Sequence, residues 1–145
     1  MIFYGTIFKR SEGPPPETEI QRLNPQRPRR ILMKTRWPRL QAGSLNLHVD
    51  NPVVLGLGTL SPFFHESADE VTYPDPHKPL LLDRQGYLYY RGVVSRNGRN
   101  ASVLVRRAIN PLPDVVELLA AVRLRDELEV GDKDGVEVCV YVTSN

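Results

Sequence analysis

A short stretch in the first half of the chain, "AGSLNLHV" (42–49), carries side chains whose types and spacing could do chemistry. Ser44, Asn46 and His48 alternate with apolar residues, so in an extended strand the three polar side chains share one face. The hydroxyl and the amide carbonyl are hard oxygen donors of the kind that Mg²⁺ prefers. The alternative interpretation is the wet outer face of a sheet, with His48 as a surface imidazole.

The elements that would position this stretch are mostly strands. Runs of β-branched and aromatic residues, or of apolar residues alternating with polar ones, are typical of strands. On this basis we predict strands over 2–8, 30–35, 43–49 and 136–142. The pair Trp37 and Pro38 follows the second of these and prevents its continuation, because the residue before a proline is disfavoured in helices.

The clearest local signal is the pair Asn97 and Gly98, which lies between apolar runs at 87–94 and 101–106. This dipeptide favours the left-handed turn that joins antiparallel strands, so a hairpin is predicted. With five or six strands and one or two short helices, the chain is expected to form a small, mostly antiparallel β-barrel or an α+β domain.

Residues 114–128 allow two interpretations. Asp114 and Glu117 fit a helix-capping box, followed by apolar residues at helical spacing. Equally, 115–119 fits a buried strand that precedes a short helix at 123–128. Propensity alone does not decide between them.

Two stretches predict long loops. Residues 11–30 include three consecutive prolines, and 56–80 combine several prolines with clustered acids and little periodicity. A short helix is expected near Ser67–Glu70. His65 and His77 lie among acids here, but without a second ligand pair at fixed spacing we interpret them as loop residues.

Composition indicates one ordinary soluble domain over 1–145, with 41% hydrophobic and 25% charged residues. No apolar run approaches the ~20 residues that span a bilayer. The N-terminus lacks the features of a secretion signal, so a cytoplasmic protein without membrane contact is expected. The single cysteine, Cys139, excludes an internal disulfide framework.

The net charge of +2 conceals an uneven distribution. Residues 27–39 include six basic residues and no acidic one, whereas 114–137 hold eight acids against three bases. The basic segment either attracts phosphate, in a nucleotide or a nucleic acid, or is a solvated loop.

Two segments in the same order resemble the archaeal CTP-dependent riboflavin kinases. The stretch "AGSLNLHV" is similar to a Gly-Thr-Leu-Asn strand of that family, and "PDVVELLAAVRLRDELEVGDKDGVEVCVYV" (113–142) is similar to its barrel-closing C-terminal end. The resemblance covers about 40–50 and 87–142. It implies a six-stranded cradle-loop barrel that transfers the terminal phosphoryl group of CTP to the 5′-hydroxyl of riboflavin, giving FMN.

The resemblance also implies roles for individual residues. Ser44 and Asn46 match its magnesium-binding positions, and Glu117 matches a glutamate that contacts the flavin. Four further residues match the segment around the cytidine nucleotide: Val122, Arg123, Leu124 and Arg125. The alternatives are a helix-capping role for Glu117, and ion pairs of the two arginines with Asp126 and Glu129 on a helix surface.

The resemblance does not extend to the glycine-rich turn that follows the first strand in that family. This chain has three prolines there, which lack backbone N–H donors. The glycines of 56–59 lie elsewhere in the order, and Ile109 stands where the family has a flavin-contacting threonine.

Three functions follow. The first is a magnesium-dependent kinase that uses CTP, and the second is a non-catalytic barrel that binds a flavin, a nucleotide or another small ligand. The third is a DNA-binding protein, because 124–138 resembles a swapped-hairpin motif and 27–39 could contact phosphates. An N-terminal loop at 12–18 that folds over the pocket beside Ser44 would favour the kinase.

Overall fold

A computed structural model describes residues 1–9, 26–41, 44–67 and 86–142. Within these ranges the chain forms seven strands and three helices. The strands are β1 (Ile2–Phe8), β2 (Leu45–His48), β3 (Phe64–Glu66), β4 (Tyr87–Arg96), β5 (Arg99–Ala108), β6 (Val115–Leu119) and β7 (Gly135–Val140). The helices are α1 (Gln26–Thr35), α2 (Asn51–Thr59) and α3 (Leu124–Glu127).

Six of the strands form a closed antiparallel barrel. Its hydrogen-bonded order is β4-β5-β6-β2-β1-β7, and β7 pairs with β4 to close the ring. The remaining strand, β3, pairs with the first residues of β4, where Phe64 lies opposite Tyr89. The prediction of a small, six-stranded, mostly-β barrel is therefore confirmed.

Alternation along each strand sends one set of side chains into the barrel and the other set outward. The interior is filled by apolar residues from all six barrel strands: Phe3, Ile7, Leu45, Leu47, Tyr90, Val94, Val103, Val105, Val116, Leu118, Val136, Val138 and Val140. Because Leu45 and Leu47 face the interior, Ser44, Asn46 and His48 face outward. These three polar side chains therefore lie on the outer surface of the barrel wall.

Helix α1 covers part of that outer wall. Its Ile31 is buried in a second apolar cluster with Phe64, Tyr89, Leu104 and Leu119, which come from four different strands. The rings of Phe64 and Tyr89 stack with centroids 4.3 Å apart. The barrel wall is consequently sandwiched here between its own core and a covering layer made by α1 and β3.

The strand predicted over 30–35 is wrong, because these residues form the C-terminal half of α1. Pro28 falls in the first turn of the helix, where a missing N–H donor costs no intrahelical hydrogen bond. Ile31 turns toward the barrel, while Met33 and Lys34 are exposed. A six-residue window is too short to distinguish that helical distribution from alternation.

The long loops predicted over 11–30 and 56–80 contain regular structure in part of their described residues, while 60–63 and Ser67 belong to no helix or strand. The first overlaps the start of α1, and the second overlaps the end of α2 and all of β3. Pro52 lies in the first turn of α2, whose Val54 and Leu57 are buried against the barrel core. The short helix predicted near Ser67–Glu70 lies outside the described residues, apart from Ser67, which belongs to no helix.

The hairpin prediction is confirmed. Asn97 and Gly98 adopt φ of 57° and 72°, the left-handed conformation that a tight hairpin turn requires. For 114–128 the second interpretation is correct, since Val115–Leu119 is strand β6 and pairs with both β2 and β5. The capping box proposed for Asp114 is therefore wrong.

None of the helices in the described ranges is both long enough and apolar enough to cross a bilayer.

The seam where β4 meets β7 depends on a close backbone approach at Gly92. A Cβ atom added there would lie 2.6 Å from the backbone carbonyl oxygen of Cys139. We expect Gly92→Ala to lower the free energy of unfolding by about 1–3 kcal/mol, because the strands must separate to admit the methyl group. Urea denaturation measures this. Gly131→Ala is the matched control, since an added Cβ there meets nothing within 4 Å. Equal stability of both variants would contradict the close-approach argument.

Candidate functional site

Three of the predicted site residues meet on the outer face of β2 and β6. Asn46 lies directly opposite Glu117 in the register of these two strands. The Ser44 hydroxyl, next along the same face, donates a hydrogen bond to Glu117 Oε2 at 3.5 Å. Residues more than 70 positions apart in sequence are thus brought into one polar group by strand pairing.

The hydrogen bonding of Asn46 and Ser44 leaves oxygen atoms that could bind magnesium. Asn46 Oδ1 is buried and accepts no hydrogen bond from the described residues. A buried carbonyl oxygen without a donor is uncommon in folded proteins, and a hard cation is one partner that would satisfy it. With the Ser44 hydroxyl on the same face, the residues fit a magnesium ion.

A magnesium ion at this position would be held mainly by groups other than the Ser44 and Asn46 side chains. Within the described ranges, no cluster of three histidine, cysteine or acidic residues is suited to hold a metal. Two neutral oxygens alone make a weak site, so such an ion would need phosphate oxygens and water to complete six-fold coordination. This is how magnesium commonly enters a site together with a nucleotide.

A pocket of about 150 Å³ opens beside Ser44. It is lined by Gln41, Ser44, Leu45, Leu118, Ala120, Val122, Arg123, Leu124 and Arg125. All four residues predicted to surround a nucleotide therefore line a pocket that also reaches a predicted magnesium ligand. Its wall combines leucines with two guanidinium groups, which suits a ligand with an apolar or aromatic part and an anionic part.

The two pocket arginines are balanced by exposed acids. Arg123 contacts both carboxylate oxygens of Asp126 at 3.0 and 3.1 Å, as the sequence alternative predicts. Arg125 instead pairs with Asp132 at 2.6 Å, so its predicted pairing with Glu129 is wrong. The reason is that α3 ends at Glu127, before Glu129 could join the same helical face. Exposed pairs of this kind contribute ~0–1 kcal/mol and are easily exchanged for another anion.

Glu117 has a partner that the sequence analysis missed. Arg106 of β5 lies opposite Glu117 in the register and donates to Oε2 from Nε at 2.9 Å and also from a terminal nitrogen. The Arg106 side chain is 5% exposed and the Glu117 side chain is 14% exposed, so this ion pair is largely buried. The capping role considered for Glu117 is wrong, because the residue lies within a strand.

Aromatic and charged side chains connect this pair to helix α1. The ring of Tyr87 contacts two guanidinium groups, with Arg106 at 4.7 Å and Arg27 at 5.0 Å from its centroid. Glu66 of β3 then accepts hydrogen bonds from Arg27 Nε and Arg30, each at 2.6 Å. A continuous layer of ion pairs and a cation–π stack therefore runs from α1 to the candidate site.

The hydroxyl of Tyr89 lies within the same buried layer. Burial raises the pKa of Tyr89 to about 12, and the nearby Arg106 partly opposes that rise. The phenol therefore stays neutral at any pH at which the protein is studied. It contributes packing under α1 rather than charge.

The other chemically notable residues lie apart from the pocket. His48 is exposed, stacks on Phe8 with centroids 3.8 Å apart, and has Nδ1 3.9 Å from Asp114. His65 is exposed on β3 and Ile109 is also exposed. His77 and the N-terminal loop at 12–18 lie outside the described residues.

The basic segment 27–39 divides into two sets. Arg27 and Arg30 turn inward to Glu66, whereas the remaining four basic residues are exposed: Arg29, Lys34, Arg36 and Arg39. The segment is mostly a helix and not the solvated loop that was one of its two interpretations. Only part of its charge is therefore available to an external anion.

The pairing register of β5 against β6 explains why the sequence does not reveal Arg106 as the partner of Glu117. Its position as an outward residue of a strand could be seen in the alternation of 101–106, but its partner on another strand could not.

Comparison with known protein families finds no match for this chain, and a search of curated proteins finds none either.

Proposed function

We propose that this protein is a magnesium-dependent phosphotransferase of the riboflavin kinase type, which transfers a phosphoryl group from CTP to riboflavin. One observation carries the proposal. Ser44, Asn46 and Glu117 lie together on the barrel wall, and the pocket beside them is lined by 122–125. The resemblance assigns metal, flavin and nucleotide roles to these same residues.

The pocket would hold the nucleotide through complementary surfaces. Its leucines offer an apolar wall to the base and ribose, and Arg123 and Arg125 offer charge to the phosphates. Ser44 and Asn46 would hold the magnesium ion at the edge of the pocket. When bound, magnesium neutralises charge on the phosphate oxygens.

The acceptor would lie on the side of Glu117. The carboxylate is fixed by Arg106 and by the Ser44 hydroxyl, so its orientation is set before a ligand arrives. A fixed carboxylate accepts hydrogen bonds from a flavin at small entropic cost. Phosphoryl transfer depends mainly on such positioning and on charge stabilisation, so few residues need to take part covalently.

A barrel that binds a flavin or nucleotide without transfer is the second candidate. It is favoured by the engagement of Glu117 with the buried Arg106, since that hydrogen-bonding capacity is already in use. The DNA-binding alternative has less support. Two of the six basic residues that suggested it are directed toward Glu66 instead of the surface.

A thermal-shift titration tests the proposal first. Riboflavin, FMN, CTP and ATP are each added with and without magnesium, and a ligand that binds the folded state raises the melting temperature. We expect CTP to stabilise the protein only with magnesium, and riboflavin to add to the effect. FMN formation from riboflavin then separates the kinase from the binding barrel. Absence of any shift across the panel would refute both.

The proposed magnesium ligands make a sharper prediction. We expect Ser44→Ala and Asn46→Ala to lower magnesium-dependent turnover by about tenfold or more, as loss of a metal-site residue usually does. Asn46→Ala should keep or raise the melting temperature, because it removes a buried oxygen that has no donor among the described residues. The matched controls are Ser102→Ala and Asn100→Ala, which are exposed on β5. Full turnover by the two site variants would remove the metal assignment.

A further inference from the structure

One residue of the exposed basic set reaches the pocket wall. Arg39 Nε donates a hydrogen bond to the carbonyl oxygen of Ala121 at 3.1 Å. The neighbours of Ala121 on both sides, Ala120 and Val122, line the pocket. Close by, the backbone N–H of Gln41 donates to Ala120 O at 2.9 Å, and Gln41 lines the pocket too. The Arg39 guanidinium is thus anchored to the backbone segment that forms one side of the pocket.

Arg39 differs from the other arginines around the pocket in its charge balance. Arg123 and Arg125 each pair with an aspartate. Within the described ranges, Arg39 forms no ion pair, and its one hydrogen bond uses Nε. Arg39 lies beside the pocket wall without lining the pocket itself, and among the described residues its positive charge is not balanced by an aspartate or glutamate.

We propose that Arg39 is a phosphate-binding residue of this pocket, which takes the anionic chain of a nucleoside diphosphate or triphosphate. The inference rests on the proposed function for the identity of the ligand as a nucleotide. With Nε tied to Ala121, the guanidinium is held in place and its terminal nitrogens are left to donate to phosphate oxygens. A planar group with several donors suits that contact better than a flexible ammonium does.

A phosphate contact from the Arg39 side chain would compensate for a shortage of backbone N–H donors in the segment after β1. Phosphates are often cradled by the backbone N–H groups of a glycine-rich loop. In this chain the segment after β1 contains Pro14, Pro15 and Pro16, and proline has no N–H to donate. Arg39 would supply from a side chain what that segment is poorly suited to supply from its backbone.

Isothermal titration of the full-length protein tests the inference with three probes: MgCTP, inorganic triphosphate and cytidine. We expect Arg39→Gln to weaken MgCTP and triphosphate binding by about 10- to 100-fold, the usual effect of losing a hydrogen bond to a charged group. Cytidine, which carries no phosphate, should bind both proteins equally. The matched control is Arg29→Gln, which removes the same charge from an exposed position of α1 that, among the described residues, has no hydrogen bond to the pocket segment.

The outcomes separate this inference from the proposed function. Equal weakening by Arg39→Gln and Arg29→Gln would overturn it, because general attraction would then explain the effect. Unchanged MgCTP binding in Arg39→Gln would overturn it too, while leaving the kinase proposal intact. If Arg39→Gln selectively loses triphosphate binding but the unmodified protein never forms FMN, the phosphate-binding role of Arg39 is supported and the kinase activity is rejected. No binding of MgCTP or triphosphate by the unmodified protein would overturn both.

Discussion

Replacing Glu66 with alanine is expected to lower the free energy of unfolding by about 3–5 kcal/mol, the usual cost of removing one partner from a buried ion pair. The Glu66 side chain is 1% exposed and accepts hydrogen bonds from both Arg27 and Arg30. Arg27 is itself only 3% exposed, so it cannot turn to water when its carboxylate is lost. Its charge then remains in the buried layer between α1 and the barrel without the Glu66 carboxylate.

Urea denaturation followed by circular dichroism measures this change. The matched control is Arg99→Ala, which removes one partner of the exposed pair between Arg99 and Glu129. That pair is half solvated on both sides, so its loss should cost about 0–1 kcal/mol. Equal effects of the two substitutions would contradict the buried character of the Glu66 site.

A double variant shows whether charge is the cause. Glu66→Leu combined with Arg27→Leu should recover most of the stability lost by Glu66→Leu alone, because apolar replacements of a buried pair are often neutral. The coupling between the two substitutions is obtained from a double-mutant cycle. If the losses were simply additive, packing and not the ion pair would hold α1 on the barrel.

Five of the six barrel strands could be predicted from the sequence because their signal is local, whereas β6 was left open between a helix and a strand. Alternation in β1 and β7 and the Asn97–Gly98 turn each depend on a few neighbouring residues. Helix α1 could not be predicted in the same way. Its Ile31 packs on strands from distant parts of the chain, and Ile31 is the single buried apolar residue of the described helix, which is too few to show a periodicity.

Glu66 illustrates a second limit. Acids clustered among polar residues usually indicate a solvated loop, and 56–80 was interpreted in that way. The carboxylate is buried because α1 brings Arg27 and Arg30 to it from about 36 residues earlier in the chain. Composition cannot reveal such a pairing, since either partner alone looks like a surface residue.

Most residues of the candidate site could be predicted from the sequence, but the contacts between them could not. Ser44 and Asn46 follow from residue type and resemblance, and 122–125 follow from resemblance. The pairing of β2 with β6 places Asn46 beside Glu117, while Ser44 lines the pocket together with 122–125. The partner of Glu117 depends on the register of β5 against β6. A shift of one residue would send Arg106 to the other face, and no local pattern fixes that register.

Arg106 carries the second large prediction, because it ties the stability of the fold to the candidate site. We expect Arg106→Met to lower the free energy of unfolding by about 3–5 kcal/mol, since Glu117 would lose the buried guanidinium that pairs with it. The loss of the stack on Tyr87 adds to the cost. Chemical denaturation measures the change, and combination with Glu117→Met should restore much of it.

The conservative variant Arg106→Lys separates a role in the site from a role in the fold. An ammonium group keeps the charge but cannot reproduce the two donors that fix Glu117 Oε2, so the carboxylate gains freedom. If Glu117 contacts the flavin, the affinity for riboflavin should then fall by about tenfold, as loss of a well-placed charged hydrogen bond does. The affinity for MgCTP should change far less, because Arg106 does not line the pocket beside Ser44. Equal weakening of both ligands would mean that Arg106 acts only through the stability of the barrel wall. A selective loss of riboflavin would instead identify Arg106 as the residue that positions Glu117 for its ligand.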